Sequence, residues 1–156
     1  LPEGRAEEIL TAGITGVLAV SGDGGYPYAV PLNYVYEDGA IYFHAARAGH
    51  KLDAIRRDAR VSFCVIDQED IVPEEFTTYF RSAVAFGKAA EVTEDGEKRR
   101  LIRLLNGKYA PGLDEAGERA IERTWSTLCI IKMDIEHLTG KEAIELVRSN
   151  KQPGTF

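Results

Sequence analysis

The sequence has 156 residues, 44% of them hydrophobic, and a net charge of -6. That length suits one domain that buries a core without metals or disulfides, and the even spread of charge argues against disorder. The acidic balance excludes a dedicated nucleic-acid binder, which carries a basic face, and no apolar run approaches the ~20 residues of a membrane span.

Residues 3–12 (EGRAEEILTA) predict a short amphipathic helix with Ile9 and Leu10 inward. The stretch 14–21 (ITGVLAVS) is rich in β-branched residues and ends in GDGG at 22–25, a strand followed by a tight turn. YPYAVPLNYVYE (26–37) alternates aromatic and β-branched residues as a strand does, and Pro31 within it requires an edge or a bulge. EDG (37–39) turns the chain into AIYFHAA (40–46), completing a meander of three strands. The period then changes: RAGHKLDAIRRDAR (47–60) places Leu52 and Ile55 on one face of a helix. VSFCVI (61–66) reads as a buried strand, and the polar DQEDIVPEE (67–75) as an exposed loop. The segment 77–93 predicts a long, bending strand with Gly87 as its corner. Helices are expected over 94–111 and about 114–123, then a strand over 125–140 and a polar tail over 143–156.

About six strands joined by tight turns, with short helices inserted, predict a mainly β, antiparallel, closed or half-closed barrel in one domain. A doubly wound dinucleotide fold is excluded, because no GxGxxG follows a strand. Cys64 and Cys129 sit in apolar runs without CxxC spacing and are expected to be buried, reduced thiols of a cytoplasmic protein. The start of the sequence lacks the pattern of a secretory signal, and Leu1 in place of Met leads to the expectation that the gene begins upstream.

The chemistry concentrates between His44 and Arg60. Five basic residues (Arg47, Lys51, Arg56, Arg57, Arg60) face two acidic ones there, within an acidic chain. Basic residues beside a short helix commonly form its solvated face, and Arg56, Arg57 and Arg60 suit that account or the helix C-terminus. His50 and Lys51 fit it less well. They open the predicted helix, where cations are unfavourable unless an anion answers them and where free backbone N–H groups seat anions. Pro31 opens the sheet locally beside Asn33, whose amide both donates and accepts, and Tyr79, Arg81 and Ser82 supply polar groups on a later strand. The three histidines show no metal-ligand spacing with the cysteines or acids. Trp125 is expected as a core or interface anchor.

The order of VPLNY, EDG, IYFHAARAGHKLDAIRRDARVSF and YFRSAVAFGKA resembles the pyridoxamine 5′-phosphate oxidase-like flavoproteins, and among them the nitroimidazole-resistance type, over about residues 5–142. That resemblance implies a split β-barrel binding FMN at a homodimer interface. It implies that Val30, Pro31, Leu32 and Asn33 lie along the isoalloxazine ring and that His44, Ala45 and Ala46 line the ribityl side. His50 and Lys51 would hold the phosphate, and Tyr79, Arg81 and Ser82 would close the pocket. His50, with His44 second, is the implied catalytic candidate. Serine is common in the family where Ala45 stands, which shifts the phosphate toward Lys51 and backbone N–H groups. The implied activity is a flavin-dependent reduction or oxidation of a small molecule, with NAD(P)H as a donor and a nitro-aromatic compound as an acceptor. The alternative is a non-catalytic flavin or tetrapyrrole carrier or sensor on the same barrel.

Overall fold

Seven strands form one antiparallel sheet: β1 (Thr15–Ser21), β2 (Pro27–Asn33), β3 (Val35–Glu37), β4 (Ala40–Ala46), β5 (Arg60–Val72), β6 (Thr77–Glu91) and β7 (Leu128–Glu142). Their order across the sheet is β2-β1-β5-β6-β7-β4-β3. The computed structural model describes residues 1–150, so the KQPGTF end of the expected tail lies outside the described residues. The sheet curls until β2 approaches β4 without pairing to it, which makes the barrel split rather than closed. The mainly β split barrel expected from the sequence is the fold observed. Five helices flank it: α1 (Glu3–Ala12), α2 (His50–Arg57), α3 (Asp95–Tyr109), α4 (Asp114–Thr124) and α5 (Ile144–Asn150). None of the described helices is long and apolar enough to cross a membrane.

Strand alternation sorts side chains into two cores. Leu18, Ile41, Phe43, Phe63, Val65 and Met133 fill the barrel, with Ile9 and Leu10 of α1 and Leu52 and Ile55 of α2 packed against them. Each such fully buried side chain contributes about 1.5–3 kcal/mol relative to exposure. On the opposite face of β4 and β7, Tyr42 and Ile130 meet Leu101, Ile102 and Leu105 of α3 and Ile121 of α4.

The structure corrects four expectations. First, the strand expected over 26–37 breaks at Tyr34, giving seven strands in place of about six. Tyr34 is fully buried, and its hydroxyl donates to the Leu10 carbonyl at 2.5 Å. Its backbone N–H donates to the Tyr109 hydroxyl at 3.0 Å, and its carbonyl accepts from Lys108 Nζ at 3.0 Å. Helix α3 thus takes the groups a neighbouring strand would have used. Second, 67–72 is the continuation of β5, paired with β6 as far as Val72 opposite Thr77. This far part of the hairpin is a two-stranded ribbon with solvent on both faces, so its polar sequence carries no alternation. Third, α2 is confined to 50–57, because Arg60 already belongs to β5. Fourth, the expected tail contains α5. Gly87 is the expected corner: the β6–β7 register slips between Phe86 and Gly87, and a Cβ there would lie 1.9 Å from the Asp134 carbonyl oxygen.

Candidate functional site

Helix α2 begins four residues after β4 ends, so the loop 47–49 carries it from the barrel rim to the turn between β1 and β2. Gly49 is extended and no side chain caps the helix, which leaves its first backbone N–H groups available to a ligand. His50 is anchored to that β1–β2 turn. Its Nδ1 lies 3.5 Å from Asp23 Oδ2, and its ring meets Tyr28 edge-on at 4.6 Å between centroids. Asp23 Oδ1 also accepts from Arg57 Nη1 at 2.9 Å. The charge of Arg57 and any charge on His50 are therefore answered by one carboxylate. Lys51 forms no ion pair among the described residues, and it is the cation left for an anion at this corner.

Strand β2 is an edge strand, as Pro31 requires. Pro31 and Asn33 face outward and are exposed, whereas Val30 and Leu32 turn inward against the barrel core. In β4 the exposed residues are His44 and Ala46. Ala45 is buried with the barrel core, and its carbonyl accepts from the Cys129 thiol at 3.3 Å. Tyr28 brings the start of β2 against His50, Pro31 and Asn33 lie further along the same edge, and β2 approaches β4 without pairing to it.

Tyr79, Arg81 and Ser82 stand elsewhere. Ala45 and Ala46 pair with Cys129 and Leu128 at the start of β7, whereas Ser82 and Arg81 pair with Lys141 and Glu142 at its end. Across the other side of the sheet, Ser82 faces Ile66 beside the Val65–Gly16 pair, toward the Asn33 end of β2 and away from the His50 end. Arg81 is also engaged by Asp67, to which its Nε donates at 2.7 Å. Tyr79 donates to Glu75 at 2.5 Å, a bond that pushes the phenol up to about 12. Within one chain these three do not close a pocket over His50 and Lys51.

Asp23 and Tyr28 are site residues that the sequence did not announce, because only folding brings the β1–β2 turn to α2. Both cysteines are free. Cys129 is buried as expected, whereas Cys64 is only half-buried, opposite the exposed Val17; burial pushes both thiols up.

A family model described as pyridoxamine 5′-phosphate oxidase matches residues 2–142. Among curated proteins none matches. Several solved structures share the fold. A candidate 5-nitroimidazole antibiotic resistance protein from Bacteroides thetaiotaomicron is 22% identical with a TM-score of 0.71, over 88% of this chain and 82% of that one. A conserved hypothetical protein from Mycobacterium tuberculosis is 20% identical with a TM-score of 0.77, over 100% and 91%. An FAD-binding protein from Mesorhizobium loti is 25% identical with a TM-score of 0.64, over 92% and 96%.

Proposed function

The chain belongs to the pyridoxamine 5′-phosphate oxidase family, and on that premise we propose that it binds FMN at the β2–β4–α2 corner and uses it in redox chemistry on a small molecule. The observation that carries this reading is the uncapped start of α2, with Lys51 in no ion pair among the described residues, near the exposed edge of β2. These groups fit the cofactor. A terminal phosphate is answered by Lys51 and the first N–H groups of α2, and a flat ring finds the outward surface of Pro31 and Asn33. Asn33 supplies donors and an acceptor for the polar edge of that ring. Asp23 engages His50 through Nδ1, so Nε2 is the atom through which His50 would exchange a proton with a substrate. When bound, FMN supplies acceptance of hydride from a donor such as NAD(P)H and electron delivery to an acceptor such as a nitro-aromatic compound. The two unpaired thiols support a cytoplasmic setting.

The site is completed by a second copy of the chain in this proposal. In it, Tyr79, Arg81 and Ser82 of one copy close the pocket over His50 and Lys51 of the other. The outer sheet face supports the pairing: Pro31, Val17, Cys64 and Val84 stand in one row across β2, β1, β5 and β6. Val17, Ile66 and Phe86 on that face are 39%, 58% and 45% exposed, an apolar surface that calls for a cover.

Anaerobic addition of NADPH to the FMN-loaded protein, followed by a 5-nitroimidazole, tests the activity. Bleaching of the flavin absorbance and its recovery with loss of the nitro compound are expected. Bleaching without turnover of any acceptor would favour the carrier reading, and no FMN uptake at all would overturn the proposal.

A further inference from the structure

The flank of α2 that faces away from His50 borders a cleft of about 380 Å³ between the β4–α2 loop and the start of α3. Its lining gathers three cations, Arg47, Arg56 and Lys98, together with Glu91, Thr93 and Asp95. Arg56 is matched, because its Nη2 donates to Glu91 Oε2 at 3.3 Å. Arg47 and Lys98 form no ion pair among the described residues. Lys98 is the more telling of the two, since it is only 5% exposed. Its Nζ donates to the Trp125 carbonyl at 3.2 Å and sits 4.2 Å from the centre of the Trp125 ring. A carbonyl and an indole face answer a buried ammonium only in part, and an unpaired buried charge is costly. All three cations also act electrostatically on the buried Cys129 thiol, so they surround one region rather than fan apart.

The first turn of α3 contributes little to this cleft, because Glu94 already accepts from the N–H groups of Gly96 and Glu97. Binding there must come from side chains. We propose that the cleft binds the phosphate monoester group of a small organic molecule. Arg47 and Lys98 are its main partners, Thr93 donates its hydroxyl, and Arg56 completes the ring while held by Glu91. Three cations against the carboxylates of Glu91 and Asp95 leave the lining with a net positive charge, the sign an anion needs. The cleft exceeds what phosphate alone fills and is of a size that accepts an organic body, with Val92 as an apolar wall. The site is separate from the flavin corner, since Arg57 and His50 face Asp23 on one flank of α2 and Arg56 faces Glu91 on the other.

Calorimetric titration of phenyl phosphate into the full chain carrying one equivalent of FMN, with unbound FMN removed because it is itself a phosphate monoester, tests the proposal. One saturable site per chain is expected, with benzyl alcohol inert at the same ionic strength. Arg47→Ala, an exposed change, weakens phenyl phosphate by about tenfold or more, as loss of a charge-assisted hydrogen bond does. Lys98→Met does the same if its circular dichroism is native, and Arg47→Ala decides alone if it is not. Lys51→Ala, which acts on the flavin corner, leaves phenyl phosphate affinity within about twofold. Absence of saturable heat, wild-type affinity in Arg47→Ala, or loss of binding in Lys51→Ala would each overturn the proposal.

Discussion

Replacing Tyr109 by Phe isolates the contact that ends β2 and so sets the edge on which Asn33 stands. The Tyr109 hydroxyl accepts from the Tyr34 backbone N–H at 3.0 Å and lies 2.5 Å from the Ile14 carbonyl and 2.8 Å from the Tyr34 carbonyl. Removing it leaves the ring in place, so no large cavity opens. The Tyr34 carbonyl keeps Lys108, and Ile14 is exposed enough for water to replace the lost donor. What remains is one buried N–H without a partner, at a cost of about 2 kcal/mol from the 1–3 kcal/mol typical of such a group. For a chain of this size that corresponds to a fall of about 4–8 °C in Tm. Urea unfolding followed by circular dichroism should show a lower midpoint with an unchanged slope. A change below about 0.5 kcal/mol, the scatter of neutral surface substitutions, would refute the assignment of this hydroxyl as the partner that ends β2.

Gly87→Ala places a methyl 1.9 Å from the Asp134 carbonyl oxygen and should cost about 3 kcal/mol or more, read from the same urea curves. Asp58 accepts from the side chain and backbone of Arg60, which lowers its carboxyl to about 2. The contribution of this pair is present above the ordinary carboxylate range and fades as pH falls toward 2. Carbon-detected titration of Asp58 should show that low midpoint in the native chain and a rise toward 3.8 in Arg60→Ala, incomplete because the backbone N–H of residue 60 still donates. Phe86→Glu puts a charge into the exposed apolar face. Light scattering should then report a dimer for the unaltered chain and a monomer for the variant, and a dimer in both would remove this face from the proposed interface.

Much of the barrel was legible in the sequence. ITGVLAVS alternates as a half-buried strand does, AIYFHAA is apolar through Phe43 because β4 is covered by the barrel core on one face and by α3 on the other, and Gly87 and Pro31 marked the corner and the edge through properties of their own backbones. The extension of β5 was not legible. Residues such as Gln68 and Asp70 face water on a ribbon that packs against little, so nothing in their pattern separates strand from loop. The break at Tyr34 was hidden for the opposite reason, since it is imposed by Lys108 and Tyr109, far along the chain. At the candidate site, Lys51 at a helix start could be read locally. The tie from His50 to Asp23 could not, nor could the burial of Lys98, which in sequence is one more charge on an amphipathic helix.

The central claim is that the start of α2 holds a flavin phosphate. Fluorescence titration of the purified, flavin-stripped chain with FMN and with riboflavin measures it directly, because the two ligands differ only in that group. The account predicts one FMN per chain, riboflavin weaker by about tenfold or more, and most of that difference erased in Lys51→Ala. Equal affinity for both flavins, or a preference for FMN that survives Lys51→Ala, would contradict it.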